Sequence, residues 1–140
     1  MSLNPEYIQI GDDIIKAAYK VRNTCGSGLR EKFYEAALEF ELKQLNHDVK
    51  RQTLLPALYC GQIIDDAYQV DLVVDDRVVI EVKALRFMKE TEGRQLLTYL
   101  KLSEFKLGYL ITFGAEIFKF GKIKDEFPYR FGLYRFVNGI

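Results

Sequence analysis

The chain has 140 residues, 49% of them hydrophobic, and its 20 Lys and Arg balance 20 Asp and Glu. That length fits one domain with a core that needs neither disulfides nor a structural metal, and the neutral balance excludes a chain-wide attraction to nucleic acid, so any such contact must be local. No run approaches the roughly 18 uninterrupted apolar residues of a membrane span, the N-terminus lacks a signal-peptide pattern, and Cys25 and Cys60 form no zinc or disulfide pattern. The expectation is a soluble, cytoplasmic protein with free thiols and no membrane partner.

Tyr7, Ile10, Ile14, Ala17, Ala18 and Val21 recur at helical spacing and predict a first helix over 6–22. Asn23 to Gly28 breaks it. Ser27 or Gly28 can start a second helix over 29–45, with Leu29, Phe33, Ala36, Ala37, Phe40 and Leu45 as its buried stripe. From 49 to 84 the pattern changes to β-branched and aromatic residues punctuated by turn signals. It predicts three antiparallel strands over 49–59, 68–74 and 78–84, with Ile63 and Ile64 beginning or bulging the second. A third helix is expected over 90–103, with Leu96, Leu97 and Leu100 facing the core, and then a buried strand over 108–113. The aromatic-rich tail, 127–137, reads as a final strand or hairpin. The order is therefore ααβββαβ with a C-terminal β extension, an α/β chain forming a single domain over 1–140.

Glu81 and Lys83 lie in the run Val78-Val79-Ile80-Glu81-Val82-Lys83-Ala84, where the strand period of two puts both on one face. If Asp75-Asp76-Arg77 is a hairpin loop, Val74 pairs with Val78; Asp71 then lies opposite Glu81, and Gln69 opposite Lys83. Two facing carboxylates destabilise a strand pair unless a cation or a proton lies between them. Mg²⁺, which accepts one or two carboxylates and leaves room for water and phosphate oxygens, suits Asp71 and Glu81. Lys83 would sit beside the water that attacks, or stabilise charge developing on a phosphate. The competing reading is an ordinary Glu–Lys pair on an exposed sheet face, against which the apolar neighbours of Glu81 argue.

Gly28-Leu29-Arg30-Glu31-Lys32-Phe33-Tyr34 resembles the Gly-x-x-Glu-x-x-Tyr signature of the GxxExxY proteins, a group within the PD-(D/E)XK nuclease superfamily. Arg51-Gln52, Val70-Asp71-Leu72-Val73-Val74, Glu81-Val82-Lys83-Ala84 and Gln95-Leu96-Leu97-Thr98-Tyr99-Leu100-Lys101 are similar to that family in order and spacing, over roughly 14–113. The resemblance implies a restriction-endonuclease-like PD-(D/E)XK core, a central mixed sheet flanked by helices. It implies hydrolysis of nucleic-acid phosphodiester bonds, DNA before RNA, with Mg²⁺ or Mn²⁺, and allows a homodimer that cuts two strands.

By the same resemblance Asp71, Glu81 and Lys83 form the catalytic core, and Glu31 joins Asp71 and Glu81 as a metal ligand. Gln95 and Tyr99, one helical turn apart, and Tyr34 are accessory residues. Tyr34 and Tyr99 are equally readable as core residues with satisfied hydroxyls, and Glu31 as a helix-dipole residue. Gln69 falls at a substrate-binding position where many members of the group carry Arg, and Arg22 stands where many carry His; a neutral amide supplies no charge to a phosphate. Because the superfamily also hosts inactive members, the alternative function is a nucleic-acid-binding or protein-interaction module.

Overall fold

The computed structural model describes residues 4–122 and 131–138. Two helices, α1 (Pro5–Cys25) and α2 (Glu31–Gln44), precede three strands, β1 (Val49–Tyr59), β2 (Gln62–Val74) and β3 (Val78–Lys83). Helix α3 (Glu90–Lys101) then leads to β4 (Leu107–Thr112), β5 (Ile117–Lys122) and β6 (Phe131–Val137). The strands form one mixed six-stranded sheet in the order β1-β2-β3-β4-β6-β5. β1, β2 and β3 run antiparallel to one another, while β3 and β4 are parallel. Parallel neighbours need a crossover, and α3 supplies it.

The sheet separates two apolar layers. On one face, Ile10, Ile14, Ala17, Ala18 and Val21 of α1 and Tyr34, Leu38 and Leu42 of α2 pack on Leu72, Val74, Val78, Ile80 and Val82. On the other, Leu96 and Leu100 of α3 pack on Val70, Val73, Val79 and Leu110. Gly11 lets α1 approach: a Cβ there would lie 2.4 Å from the hydroxyl of the fully buried Tyr109.

Three sequence expectations change. Helix α2 starts at Glu31, with no side-chain cap on Arg30, after Gly28 takes a φ of 101°. Its buried stripe is Tyr34, Glu35, Leu38 and Leu42, one position out of phase with the expected one; Leu29, Phe33 and Phe40 are exposed. A carboxylate on the inner face disguised the true phase. Strand β5 was not anticipated; its Phe118 and Phe120 join the α1–α2 layer, and β6 inserts between it and β4. Of the expected tail strand, 127–130 lies outside the described residues.

One irregularity prepares the site. Leu72 and Val74 belong to the α1–α2 layer, whereas Tyr68 and Val70 belong to the α3 layer. Residues two apart in a regular strand share a face, so β2 turns over at Asp71. On β1, the Arg51↔Leu72 and Thr53↔Val70 pairs leave Gln52 opposite Asp71, and Gln52 has a φ of 48°.

Candidate active site

The β2–β3 hairpin closes on Asp75-Asp76-Arg77, with the Arg77 amide donating to the Val74 carbonyl at 3.0 Å. Val74, Val73 and Leu72 pair with Val78, Val79 and Ile80, the register that the three-residue loop requires, and the Cα ladder ends there. One step further, side chains take over from main chain. The Asp71 amide donates to Glu81 Oε1 at 3.2 Å, and the Val82 amide donates to Asp71 Oδ2 at 2.7 Å. The regular ladder ends at this point, and each carboxylate accepts a main-chain amide of the other strand.

Burial pushes the Glu81 carboxyl up to about 8, and the neighbouring charge of Asp71 adds to the effect. The Asp71 amide and the Lys83 ammonium pull the other way, while Glu35 reinforces the rise. Without a cation nearby, Glu81 therefore holds a proton at neutral pH. Lys83 shares the Glu81 face by strand period, and its carbonyl accepts from the Phe113 amide at 2.9 Å, tying the end of β3 to the residue that follows β4. Among the described residues the Lys83 ammonium makes no ion pair or side-chain hydrogen bond.

The helical acid brought to this place is Glu35, not Glu31. Glu35 is 3% exposed and accepts from Arg51 Nε at 3.0 Å and from Gln52 Nε2 at 3.1 and 2.9 Å. The same Gln52 amide nitrogen reaches Asp71 Oδ1 at 3.1 Å, so one side chain links the buried acid of α2 to the acid of β2. Glu31 lies a turn earlier, exposed in the first turn of α2. The sequence reading missed Glu35 because the stripe was phased on Phe33 and Phe40. A stripe phased on Tyr34, Leu38 and Leu42 would have put Glu35 inside. Arg51-Gln52 was noticed as a match but given no role; the positive φ that turns Gln52 toward both acids leaves no mark in the sequence.

Gln69 is not paired with Lys83. It pairs with Leu54 of β1, and its amide donates to Gln52 Oε1 at 3.2 Å, because the β2–β3 ladder has already ended. Tyr34 is fully buried: its hydroxyl donates to the Gly26 carbonyl at 2.8 Å and accepts from the Leu29 amide at 3.1 Å, and its ring stacks on Phe113. The Gly28-to-Tyr34 spacing thus describes a clasp on the loop between α1 and α2. Tyr99 is likewise satisfied, its hydroxyl donating to the Pro56 carbonyl at 2.9 Å and its ring stacked on Tyr68 at 4.3 Å. Burial, with the charges of Glu81 and Asp71 adding, holds the Tyr68 phenol well above its ordinary value. Gln95 is exposed and lines the groove beside this aromatic pair.

The His47 imidazole is held by Asp75 at 2.5 Å and Asp13 at 2.7 Å, and Cys25 and Cys60 are free thiols. Arg22 lies over the Phe118 ring. Among the described residues no group of three or more His, Cys, Asp and Glu is gathered as an ion site, and no helix is long and apolar enough to cross a membrane.

A mixed sheet that opens around an Asp, a Glu and a Lys, with helices on both faces, is the architecture of a nuclease-type α/β protein. A family model of the PD-(D/E)XK nuclease superfamily matches residues 8–124, and the chain belongs to that superfamily. Membership points to nuclease activity and to nucleic acid as the substrate. No curated protein and no solved structure matches the chain.

Proposed function

We propose that this chain is a divalent-metal-dependent nuclease of the GxxExxY group that cuts DNA in the cytoplasm. The observation that carries the reading is the exchange between Asp71 and Glu81, two half-buried carboxylates fixed on each other's strand. Such a pair needs a proton or a cation between its members. The donor set fits Mg²⁺ or Mn²⁺: Asp71 and Glu81 each spend one oxygen on a main-chain amide, the second oxygen of Glu81 accepts no hydrogen bond among the described residues, that of Asp71 accepts one from Gln52, which leaves it a lone pair, and Mg²⁺ binds through one or two carboxylates. Bound there, the ion would polarise the phosphodiester and acidify a water.

The chain's own groups do the rest. Asp71 and Glu81 orient the ion through carboxylates that the main chain holds still. Lys83 places an uncommitted ammonium on the same face, where it stabilises charge developing on the phosphate. Glu35 acts through Gln52: it fixes the amide that fixes Asp71, a positioning role rather than the ligand role expected of Glu31. A second reading, binding with weak or no cleavage, is favoured by one observation. The side chain that meets Asp71 from β1 is the neutral amide of Gln52, itself held by the neutral amide of Gln69.

Cleavage of single-stranded, duplex and branched DNA, with Mg²⁺, Mn²⁺ or chelator, tests the proposal. Cutting that needs the metal and disappears in Asp71→Ala supports it. Cutting in chelator, or equal thermal stabilisation by Mn²⁺ in wild type and Asp71→Ala, removes the metal site.

A further inference from the structure

Between α3 and the β1–β2 hairpin lies an open groove of about 480 Å³ that no role above uses. Its size is in the range of sites that take a small organic group. Tyr68 and Tyr99, stacked on each other, contribute to its wall, and the Tyr99 hydroxyl bond to Pro56 braces α3 against β1. Leu58, Tyr59, Ile64 and Leu102 line it while 44–66% exposed, a cluster of apolar surface that solvent would not favour. On the α3 side Thr91, Gln95, Thr98 and Arg94, the last paired with Glu90, add polar groups, and the Gln95 amide has no hydrogen-bond partner among the described residues.

The groove lies beside the carboxylates, because its wall residue Tyr68 sits three residues before Asp71 on the same strand. A phosphodiester placed at Asp71 and Glu81 therefore has its neighbouring nucleotide within reach of the groove. In a duplex, base faces are stacked and hidden, and affinity comes chiefly from neutralised phosphates. This chain carries no net charge. An apolar, aromatic cleft with one free amide suits a base that has left the stack: the walls cover its faces and the amide meets its edge. We infer that this groove is a subsite for one unpaired nucleobase, so that the substrate is single-stranded or locally unpaired nucleic acid. The inference rests on the nuclease reading for its location and goes beyond it in substrate class.

The test is binding by fluorescence anisotropy in Ca²⁺, using a short labelled oligothymidylate, an abasic strand of the same length and the thymidylate–adenylate duplex. The single strand should bind about tenfold more tightly than either comparison, the scale of one stacked base. Thr98→Leu, which fills the groove, and Tyr59→Ala, which strips an exposed wall, should each reduce that preference severalfold, with folding of each variant checked by its thermal melt. Equal binding of normal and abasic strands, tightest binding of the duplex, or no binding at all overturns the groove assignment. So does a dimer in light scattering that Thr98→Leu dissolves, since a second copy would then occupy the groove. Cleavage assays in Mg²⁺ separate the two ideas. Cutting at equal rates on normal and abasic strands sinks the groove and keeps the nuclease; base-dependent binding without cutting does the reverse.

Discussion

The Asp71 amide donates to the Glu81 carboxylate, and the Val82 amide next to Glu81 donates back to the Asp71 carboxylate. Each acid is thereby locked to the other's strand, which holds two carboxyl groups together at the point where the ladder opens. An acid with a folded pKa above its unfolded value binds its proton more tightly in the fold. Its stabilising contribution is complete below the ordinary value of 4.5 and is lost as pH rises toward about 8. In chelator, stability should therefore fall across that window, and Glu81→Gln should flatten the fall and exceed wild type at its alkaline end. Urea midpoints measured against pH check this. Because an ion competes with the same proton, Mn²⁺ should raise Tm more at pH 8.5 than at pH 6, values chosen roughly to straddle the titration; an equal rise at both would contradict it.

His47 titrates in a different place. Burial opposes its charge, but hydrogen bonds and charge from Asp75 and Asp13 outweigh burial and hold its pKa above the ordinary 6.5. A cationic group with a raised folded pKa gives its full stabilisation below 6.5 and loses it as pH climbs through the folded value. His47→Gln should cost about 1–3 kcal/mol at pH 6, the scale of a lost charge-assisted bond, and less at pH 9. A cost independent of pH would mean that the bridge between α1 and the hairpin loop works by shape alone.

Lys83→Ala separates chemistry from folding. Because the ammonium makes no ion pair among the described residues, its loss should change stability by no more than about 0.5 kcal/mol. Cleavage should drop by about 10²-fold or more, with the Mn²⁺-induced rise in Tm retained. Loss of that rise together with activity would assign Lys83 to holding the ion site together.

Glu35 and Glu31 make a matched pair of acids one helical turn apart. Glu35→Ala leaves Arg51 and Gln52 without their shared buried acceptor and should destabilise by about 3 kcal/mol. It should also depress cleavage by releasing Gln52 from Asp71. Glu31→Gln should stay within about 0.5 kcal/mol of wild type. The reverse order in chemical denaturation would restore Glu31 as the functional acid.

Gly11→Ala pits helix propensity against packing. Alanine favours the helix by about 1 kcal/mol, but its Cβ would lie 2.4 Å from the Tyr109 hydroxyl. Overpacking of about 1–3 kcal/mol should win, and thermal melts should show a lower Tm for the variant. Gly11→Ala with Tyr109→Phe should recover part of the loss.

The elements that carry the site were readable because their signals are local. Apolar periodicity marks α1, β3 and α3, and the Asp75-Asp76-Arg77 loop sets a register, Val74 with Val78, that carries Asp71 to Glu81. Lys83 followed from the strand period. Those inferences need only the geometry of a hairpin and of a pleat.

What the tertiary structure alone decided depends on packing between distant segments. Nothing within α2 says whether Phe33 or Tyr34 faces the sheet; the sheet and α1 choose, and by burying Tyr34 they bury Glu35 with it, while Glu31, one turn earlier at the helix end, stays exposed. Nothing in β1 announces that Gln52 takes a positive φ, which becomes worthwhile only with two carboxylates on either side of its amide. The Asp71–Glu81 pairing was thus written in the sequence, since main-chain geometry dictates it over a few residues. The company that pair keeps, Glu35, Gln52 and the groove past Tyr68, was settled by long-range burial, which no local pattern encodes.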